Sequence, residues 1–151
     1  KKKIMNFITS IKTCFKKYID FNGRASRSEF WYFTLLLVFG YFGLLLIVNY
    51  WNDSNLFYEL SDSLYNSINY LIYGMFYGLP IICLIPFVSV TIRRIHDIGQ
   101  SGFVILIFFV GFFIAFLLKN ELIVRIVFII LGVFLTQKSA GKNQFGSVPK
   151  K

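Results

Sequence analysis

The most restrictive feature of this sequence is a stretch of 22 residues, 30–51, that contains no charged side chain. As an α-helix it would be about 33 Å long, and the hydrocarbon core of a bilayer is about 30 Å thick. Trp31 and Tyr32 lie at one end and Tyr50 and Trp51 at the other, as in the aromatic belts of membrane proteins. We therefore predict that residues 30–51 form a transmembrane helix.

The composition also indicates a membrane protein rather than a soluble domain. Of the 151 residues, 56% are hydrophobic and 15% are charged, whereas soluble domains have about 45–50% apolar and about 25% charged residues. The net charge of +9 is expected mainly on the cytoplasmic side, where it meets anionic lipid headgroups. No basic face on a soluble fold is visible, so nucleic acid is not an expected partner.

Three further apolar segments follow the first one: 68–92, 103–118 and 122–136. The last two could join into one helix, but Lys119, Glu121 and Arg125 would then lie near the middle of the bilayer. Each such charge costs about 2.5–3.5 kcal/mol on insertion scales. A hairpin avoids this cost. We predict an all-α integral membrane protein of one domain, residues 1–151, with four transmembrane helices.

The distribution of charge predicts the orientation of these helices. The segment 52–67 contains Asp53, Glu59 and Asp62 but no lysine or arginine, so we expect it outside. Four crossings then place both ends of the chain in the cytoplasm, together with most of the basic residues. Three crossings would export the lysines of the C-terminal segment, which the positive-inside rule disfavours.

Residues 4–21 precede the first apolar run and have helical periodicity. Apolar residues lie on one face, and Lys12, Lys16 and Lys17 lie on the other. This pattern predicts an amphipathic helix in the plane of the membrane interface. The alternative is a helix that packs on the cytoplasmic surface of the protein itself.

A dense polar cluster, residues 93–102, separates the second and third apolar segments. It contains Arg93, Arg94, Asp97 and the only histidine, His96. We interpret it as a short cytoplasmic turn in which the two arginines end the preceding helix. Farther upstream, Ser26-x-x-Glu29 has the form of a capping box at the start of the first transmembrane helix.

Three polar motifs are therefore expected on the same side of the membrane: FNGRASRSEFWYF at residues 21–33, RRIHDIGQSG at 93–102 and NQFG at 143–146. Their combination and order resemble the domain of unknown function 805 family, which comprises small bacterial inner-membrane proteins. The resemblance spans nearly the whole chain and implies a multi-pass protein of the bacterial inner membrane. It implies no activity, because none is established for the family.

The polar cluster has a structural interpretation and a binding interpretation. In the first, the arginines pair with Glu29 and Asp97, and Ser26 caps a helix, so that the cluster locks the inner end of the bundle. In the second, the cations exceed the nearby carboxylates and bind an anion such as a lipid phosphate. The candidate residues for an anion or a partner are Arg24, Arg27, Arg93, Arg94, His96, Ser101 and Asn143.

Catalytic chemistry has less support. A zinc site needs three or four ligands, but the chain has one histidine and two separated cysteines, Cys14 and Cys83, so we predict no metal, no disulfide and no other cofactor. The leading hypothesis is a membrane-embedded binding or scaffold protein with anionic lipid or a membrane protein as its partner. The alternatives are a transporter or channel subunit that acts as a homo-oligomer, and an enzyme acting on a membrane-bound phosphate substrate.

Overall fold

The structure is a computed structural model that describes residues 6–53, 61–147 and 149. Within those residues it contains five α-helices and no β-strand, as the all-α prediction requires. The helices are α1 (Phe7–Lys16), α2 (Arg27–Asp53), α3 (Asp62–Ile98), α4 (Val104–Leu117) and α5 (Glu121–Thr136).

The amphipathic helix α1 covers residues 7–16 of the predicted range 4–21, of which residues 4 and 5 lie outside the described residues. It begins after Asn6, whose side-chain oxygen accepts the backbone N–H of Thr9 at 2.8 Å, while the Thr9 hydroxyl accepts the N–H of Asn6 at 3.1 Å. This reciprocal capping satisfies two donors that the first turn leaves free. At its other end α1 stops at Lys16, and Ser89 of α3 donates to the carbonyl oxygens of Lys17 and Asp20 at 3.0 and 2.7 Å.

Helices α2 and α3 are long and apolar enough to cross a membrane over 27–52 and 62–98. The predicted segments 30–51 and 68–92 lie inside them, but only residues 99–102 of the predicted turn 93–102 lie outside a helix, so the prediction is wrong for residues 93–98. Arg93 and Arg94 do not end α3, which continues to Ile98. It stops there because Gly99 adopts a positive φ of 92°, and the N–H groups of Gly99 and Gln100 bond back to the carbonyls of His96 and Ile95.

Helices α4 and α5 form a tight antiparallel hairpin, so the segments 103–118 and 122–136 are not one helix. Lys119 adopts φ 48°, and Asn120 donates its backbone N–H to the carbonyl of Ala115. The side chain of Asn120 then accepts the N–H groups of Leu122 and Ile123 at 3.0 and 3.2 Å. One short turn therefore ends α4 and caps α5. Between the helices, the rings of Phe112 and Phe128 lie 4.6 Å apart.

The chain divides into two compact units. One comprises residues 1–33 and 86–151, and the other comprises residues 34–85. In the second unit Trp51 stacks on Tyr65 with 5.4 Å between ring centroids, and Tyr73 donates to the Asn52 side chain at 3.1 Å. In the first unit α1 packs against the start of α2, through the ring pairs Phe7–Tyr32 and Phe15–Phe33. All the candidate polar residues lie in the first unit.

The connection from α3 to α4 contains Gly102, a position that leaves no space for a side chain. A Cβ atom on Gly102 would lie 2.9 Å from Cγ2 of Ile92 and 3.2 Å from Nε2 of His96. Ile92 is β-branched, and its χ1 rotamer is restricted within α3, so its methyl group cannot move aside. Gly102→Ala therefore forces either the connection or α3 to shift. We expect a loss of about 1–3 kcal/mol in the free energy of unfolding, measured by thermal unfolding in detergent.

Gly132→Ala in α5 is the matched control, because no atom lies within 4 Å of the position that its Cβ would occupy. Alanine favours helix over glycine by about 1 kcal/mol, so this variant is expected to be neutral or stabilised. Equal stability of the two variants would contradict the close contact at Gly102.

Candidate functional site

Five buried charged residues meet where α2 begins and α3 ends. We call them the arginine–carboxylate clasp: Arg24, Glu29, Arg93, Arg94 and Asp97. Arg24 lies in the loop before α2, Glu29 lies in the first turn of α2, and the other three lie in the last turns of α3. The exposed fraction is 8% for Arg24, 4% for Glu29 and 0% for the rest. Helix α3 brings its three members together because it stays helical to Ile98.

Asp97 is the centre of the clasp. Its Oδ1 accepts the Nε–H of Arg24 at 2.9 Å and forms an ion pair with Nη2 of the same guanidinium at 2.8 Å. Its Oδ2 accepts Nη1 of Arg94, one helical turn earlier, and the hydroxyl of Ser139. One carboxylate therefore joins the loop before α2, the end of α3 and the segment after α5. Two buried guanidinium groups and one hydroxyl group therefore share this single carboxylate.

The second ion pair joins α2 to α3. Nη1 of Arg93 lies 2.6 Å from Oε1 of Glu29, and both side chains are buried. The predicted capping box is half formed, since Ser26 accepts the Glu29 N–H at 3.2 Å while the Glu29 carboxylate binds Arg93 instead. Nε and Nη2 of Arg93 are buried with no hydrogen-bond partner among the described residues. Among the described residues, Glu29 is the one carboxylate that forms an ion pair with Arg93.

The tail segment, residues 139–146, covers the clasp with backbone carbonyl groups. Nη1 of Arg24 donates to the carbonyls of Gly141 and Gly146 at 2.8 and 3.0 Å, and Nη2 donates to that of Ala140 at 2.6 Å. The N–H of Ala140 in turn donates to the Asp97 carbonyl at 2.9 Å. The tail segment is therefore bound to both charged partners at the centre of the clasp.

The end of α5 is bound to the same cluster. Arg94 donates Nε to the carbonyl of Leu135 at 2.9 Å and Nη2 to the carbonyl of Gln137. These carbonyls belong to the last turn and the C-cap of α5, where an α-helix leaves acceptors free. Because α5 runs antiparallel to α4, both open ends of the hairpin lie at the clasp.

His96 packs between the loop before α2 and the tail segment. Its Nδ1 lies 3.2 Å from the carbonyl of Gly23, so this nitrogen carries the proton that is donated. The imidazole stacks on Phe145 with 3.9 Å between centroids and 4° between planes. The side chain of Asn143 donates to the His96 carbonyl at 2.9 Å. His96 and Asn143 therefore help to hold the tail segment.

Two candidate residues, Arg27 and Ser101, contact neither the clasp nor the tail segment through any hydrogen bond or ion pair among the described residues. Arg27 is exposed and forms no ion pair with any described residue. Ser101 is exposed, and its hydroxyl lies 3.4 Å from the N–H of Phe103 at the start of α4, so its contact is local. Sequence reasoning missed Ser89 and Ser139. The signal for Ser89 was a small polar residue within an apolar run, whereas Ser139 carried no signal.

The cysteines provide no reactive thiol at this site. Cys14 is fully buried on the inner face of α1, and burial together with the nearby Glu29 charge raises the pKa of its thiol to about 12. A thiol with such a pKa is almost entirely protonated at neutral pH and is a poor nucleophile. Among the described residues no three His, Cys, Asp or Glu side chains are placed to bind a metal.

The clasp has the features of a structural network. Three buried arginines face two buried carboxylates, and the carbonyls of Leu135, Gln137 and the tail segment satisfy most of the remaining donors of Arg24 and Arg94. Removal of one partner of a buried ion pair leaves the other charge without compensation, which costs about 3–5 kcal/mol. Such a network fixes the relative positions of α2, α3 and the α4–α5 hairpin within this unit.

A double-mutant cycle tests this reading for the pair that joins α2 to α3. We expect Glu29→Gln or Arg93→Gln alone to lower the free energy of unfolding by about 3–5 kcal/mol, because each leaves one buried charge. The double variant is expected to lose less than the sum of the two, because both charges are gone. Thermal unfolding in detergent micelles measures all four proteins.

The exposed pair Arg125–Glu121, at 3.1 Å, is the control for this cycle. Its side chains are 73% and 86% exposed, so substitution of either residue should change stability by less than about 1 kcal/mol. Additive losses at Glu29 and Arg93 would show that they are not energetically coupled.

Comparisons with known proteins agree with the resemblance carried by the three motifs. The chain is 32% identical over 135 residues to the inner membrane protein YhaI of Escherichia coli K12, covering 89% of this chain and 90% of YhaI. It is 31% identical over 137 residues to the inner membrane protein YhaH of the same strain, covering 89% of this chain and 91% of YhaH. No solved structure matches it. The family model described as a protein of unknown function, DUF805, matches residues 18–147, which include every member of the clasp, and the chain therefore belongs to the DUF805 family.

Proposed function

We propose that this chain is a four-crossing inner-membrane protein that binds anionic phospholipid headgroups on its cytoplasmic side. The observation that carries the proposal is a division among the cations. Arg24, Arg93 and Arg94 are buried in the clasp, whereas a second set remains exposed in the same unit: Lys12, Lys16, Arg27, Lys138 and Lys142. We therefore assign lipid binding to the exposed set, and we assign to the clasp the role of holding the helices that carry it.

The proposed topology follows from where the helix ends lie. Helix α2 starts at the clasp and α3 ends there, so the two cross the membrane in opposite directions. Helix α4 leaves the same region and α5 returns to it, because Arg94 binds the C-terminal turn of α5. The hairpin turn at Lys119 then lies on the outer side. Helices of 14 and 16 residues are about 21 and 24 Å long, so this hairpin requires local thinning of the bilayer.

Helix α1 supplies both apolar and basic contacts for the inner leaflet. One side of α1 is buried against the protein through Ser10 and Cys14. A different side leaves Ile8 and Phe15 exposed, at 61% and 42%, next to Lys12 and Lys16. An apolar edge flanked by lysines is the arrangement that binds an anionic membrane interface. The proposal combines the two alternatives from the sequence, because α1 packs on the protein with one side and is proposed to meet lipid with the other.

Charge balance supports anionic rather than zwitterionic lipid as the partner. In this part of the unit Asp20 is paired with Lys17 at 3.7 Å, and Glu29 and Asp97 are buried in the clasp. No other described carboxylate lies in the unit apart from Glu121 beyond α4. The five exposed cations therefore retain a net positive charge toward the headgroups, and each contributes about 1 kcal/mol near an anionic surface.

A homo-oligomer is a further part of the proposal. A Cβ atom on Gly74 or on Gly78 of α3 would meet nothing within 4 Å, so both glycines leave open space. In membranes such small-residue spacings let helices of two chains approach closely.

Reporter fusions test the topology. A fusion at residue 58 or at Lys119 should read as external, and fusions after Asp97 and after Ser147 should read as cytoplasmic. The expected pattern follows from the helix ends together with the positive-inside rule. A cytoplasmic signal at Lys119 with the other three unchanged would rule out the crossing of the α4–α5 hairpin.

Lipid binding is tested with two double variants that remove equal charge. Lys12→Gln with Arg27→Gln removes two cations near the clasp, and Lys119→Gln with Arg125→Gln removes two at the hairpin turn. The first is expected to weaken the preference for phosphatidylglycerol over phosphatidylcholine by about 1 kcal/mol per cation, measured by native mass spectrometry.

The second variant is expected to keep most of the preference. If the wild-type protein shows no preference for phosphatidylglycerol, or if the two variants lose it equally, the exposed cations near the clasp are not the binding surface.

A further inference from the structure

The contacts of Arg24 show a site that the chain's own tail segment fills. All five N–H groups of this guanidinium are engaged. One edge binds the Asp97 carboxylate, and the outer edge binds three carbonyl oxygens, those of Ala140, Gly141 and Gly146, at 2.6–3.0 Å. Phosphate and carboxylate groups bind arginine in the same way, with several oxygens at the outer edge of the guanidinium.

The charge balance favours an anion over these neutral acceptors. Arg24, Arg93 and Arg94 carry three positive charges inside the clasp, and Glu29 and Asp97 carry two negative charges. Carbonyl groups satisfy the hydrogen bonds of Arg24 but leave one positive charge in excess at a buried place. A phosphate oxygen at the same outer edge would satisfy the same donors and compensate that charge.

The tail segment that covers Arg24 is held by few contacts. Among the described residues, the hydrogen bonds and ring contacts that hold it apart from the bonds to Arg24 are the bond from Ala140 to Asp97, the Ser139 hydroxyl, the Asn143 amide and the Phe145 ring on His96. Gly141 and Gly146 are exposed, and Gly146 has a φ of 118° that favours glycine. Displacement of this segment leaves the helical core of the clasp unbroken, because Nε of Arg24 keeps its bond to the Asp97 carboxylate and Nη2 keeps its bond to the Asp97 carbonyl.

We infer that the outer edge of Arg24 is a phosphate-binding site and that the tail segment is its built-in competitor. In the closed state the three carbonyls occupy the site. In the open state a phosphate group, either of a lipid headgroup or free in the cytoplasm, replaces them and releases residues 140–146. The inference deepens the proposed function, because a phospholipid bound at the exposed cations would place its phosphate beside this site.

Loosening the tail segment without touching Arg24 tests the competition. In the full-length protein in detergent, Asn143→Ala with Phe145→Ala removes two holding contacts and leaves the carbonyls and Arg24 in the chain. Because only the open state binds phosphate, the apparent affinity for inorganic phosphate rises in proportion to the open population. A tenfold gain in that population should therefore raise the apparent affinity by about tenfold. Arg24→Lys in the same background should abolish the gain, because lysine keeps the charge but lacks the forked donor geometry.

A second measurement covers the case in which Arg24→Lys fails to fold. Hydrogen exchange of the Ala140 amide, which donates to the Asp97 carbonyl, reports opening of the tail segment in the wild-type protein. Inorganic phosphate is expected to accelerate this exchange while the amides inside α3 stay protected. The same exchange is then compared in anionic phosphatidylglycerol nanodiscs and zwitterionic phosphatidylcholine nanodiscs, both without added inorganic phosphate. Faster exchange in phosphatidylglycerol alone identifies a lipid headgroup rather than the free ion as the source.

The outcomes separate this inference from the proposed function. If phosphate leaves the Ala140 exchange unchanged and the loosened variant binds no more tightly than wild type, the tail segment is a permanent structural strap and the inference is wrong. That result leaves the role of Lys12 and Arg27 untouched, since their test measures lipid preference. Conversely, phosphate could accelerate the Ala140 exchange in a protein that shows no preference for anionic lipid. That result would support the phosphate site at Arg24 and reject the exposed cations as a lipid-binding surface.

Discussion

The buried carboxylate of Asp97 is the interaction on which the first unit depends. It accepts bonds from Arg24, Arg94 and Ser139, which belong to three parts of the chain far apart in sequence. Burial of one carboxylate between two guanidinium groups is favourable only if each donor nitrogen finds a partner, because desolvation of each ion costs several kcal/mol. The surrounding carbonyls of the tail segment and of the end of α5 meet that requirement for Arg24 and Arg94.

This requirement explains why so many chain ends converge at one place. Helix ends and loops have carbonyl groups that no intrahelical bond uses. The carbonyls of Leu135 and Gln137 at the end of α5, and those of the tail segment, are therefore available to arginine at no cost to a helix. An apolar unit of this size gains specificity from such contacts, since apolar packing alone does not distinguish one register of helices from another.

The same geometry changes how the positive charge of the protein is understood. From sequence, Arg24, Arg27, Arg93 and Arg94 formed one candidate anion site. In the structure Arg27 is exposed while the other three are buried, with several acceptors around Arg24 and Arg94 and the Glu29 carboxylate beside Arg93. Positive charge near the clasp is therefore divided into two sets. The buried arginines bond to other parts of the protein, and the exposed set, Arg27 and the lysines, is the one for which we propose lipid binding. Arginine suits the buried set because its rigid fork binds several acceptors at once.

The sequence by itself determined the helical class and the two long apolar helices, because uncharged runs of membrane length have few other structures available. It also determined the hairpin, since Lys119, Glu121 and Arg125 could not lie in mid-bilayer. The tertiary structure alone decided that α3 continues past Arg93 and Arg94 to Gly99, because charged side chains end an apolar run but not a helix. It alone showed which arginine each carboxylate binds, Arg93 for Glu29 and Arg24 with Arg94 for Asp97, and that Ser139 and backbone carbonyls complete the clasp. Backbone acceptors have no identity in a sequence, so their partners become known only when distant segments are brought together.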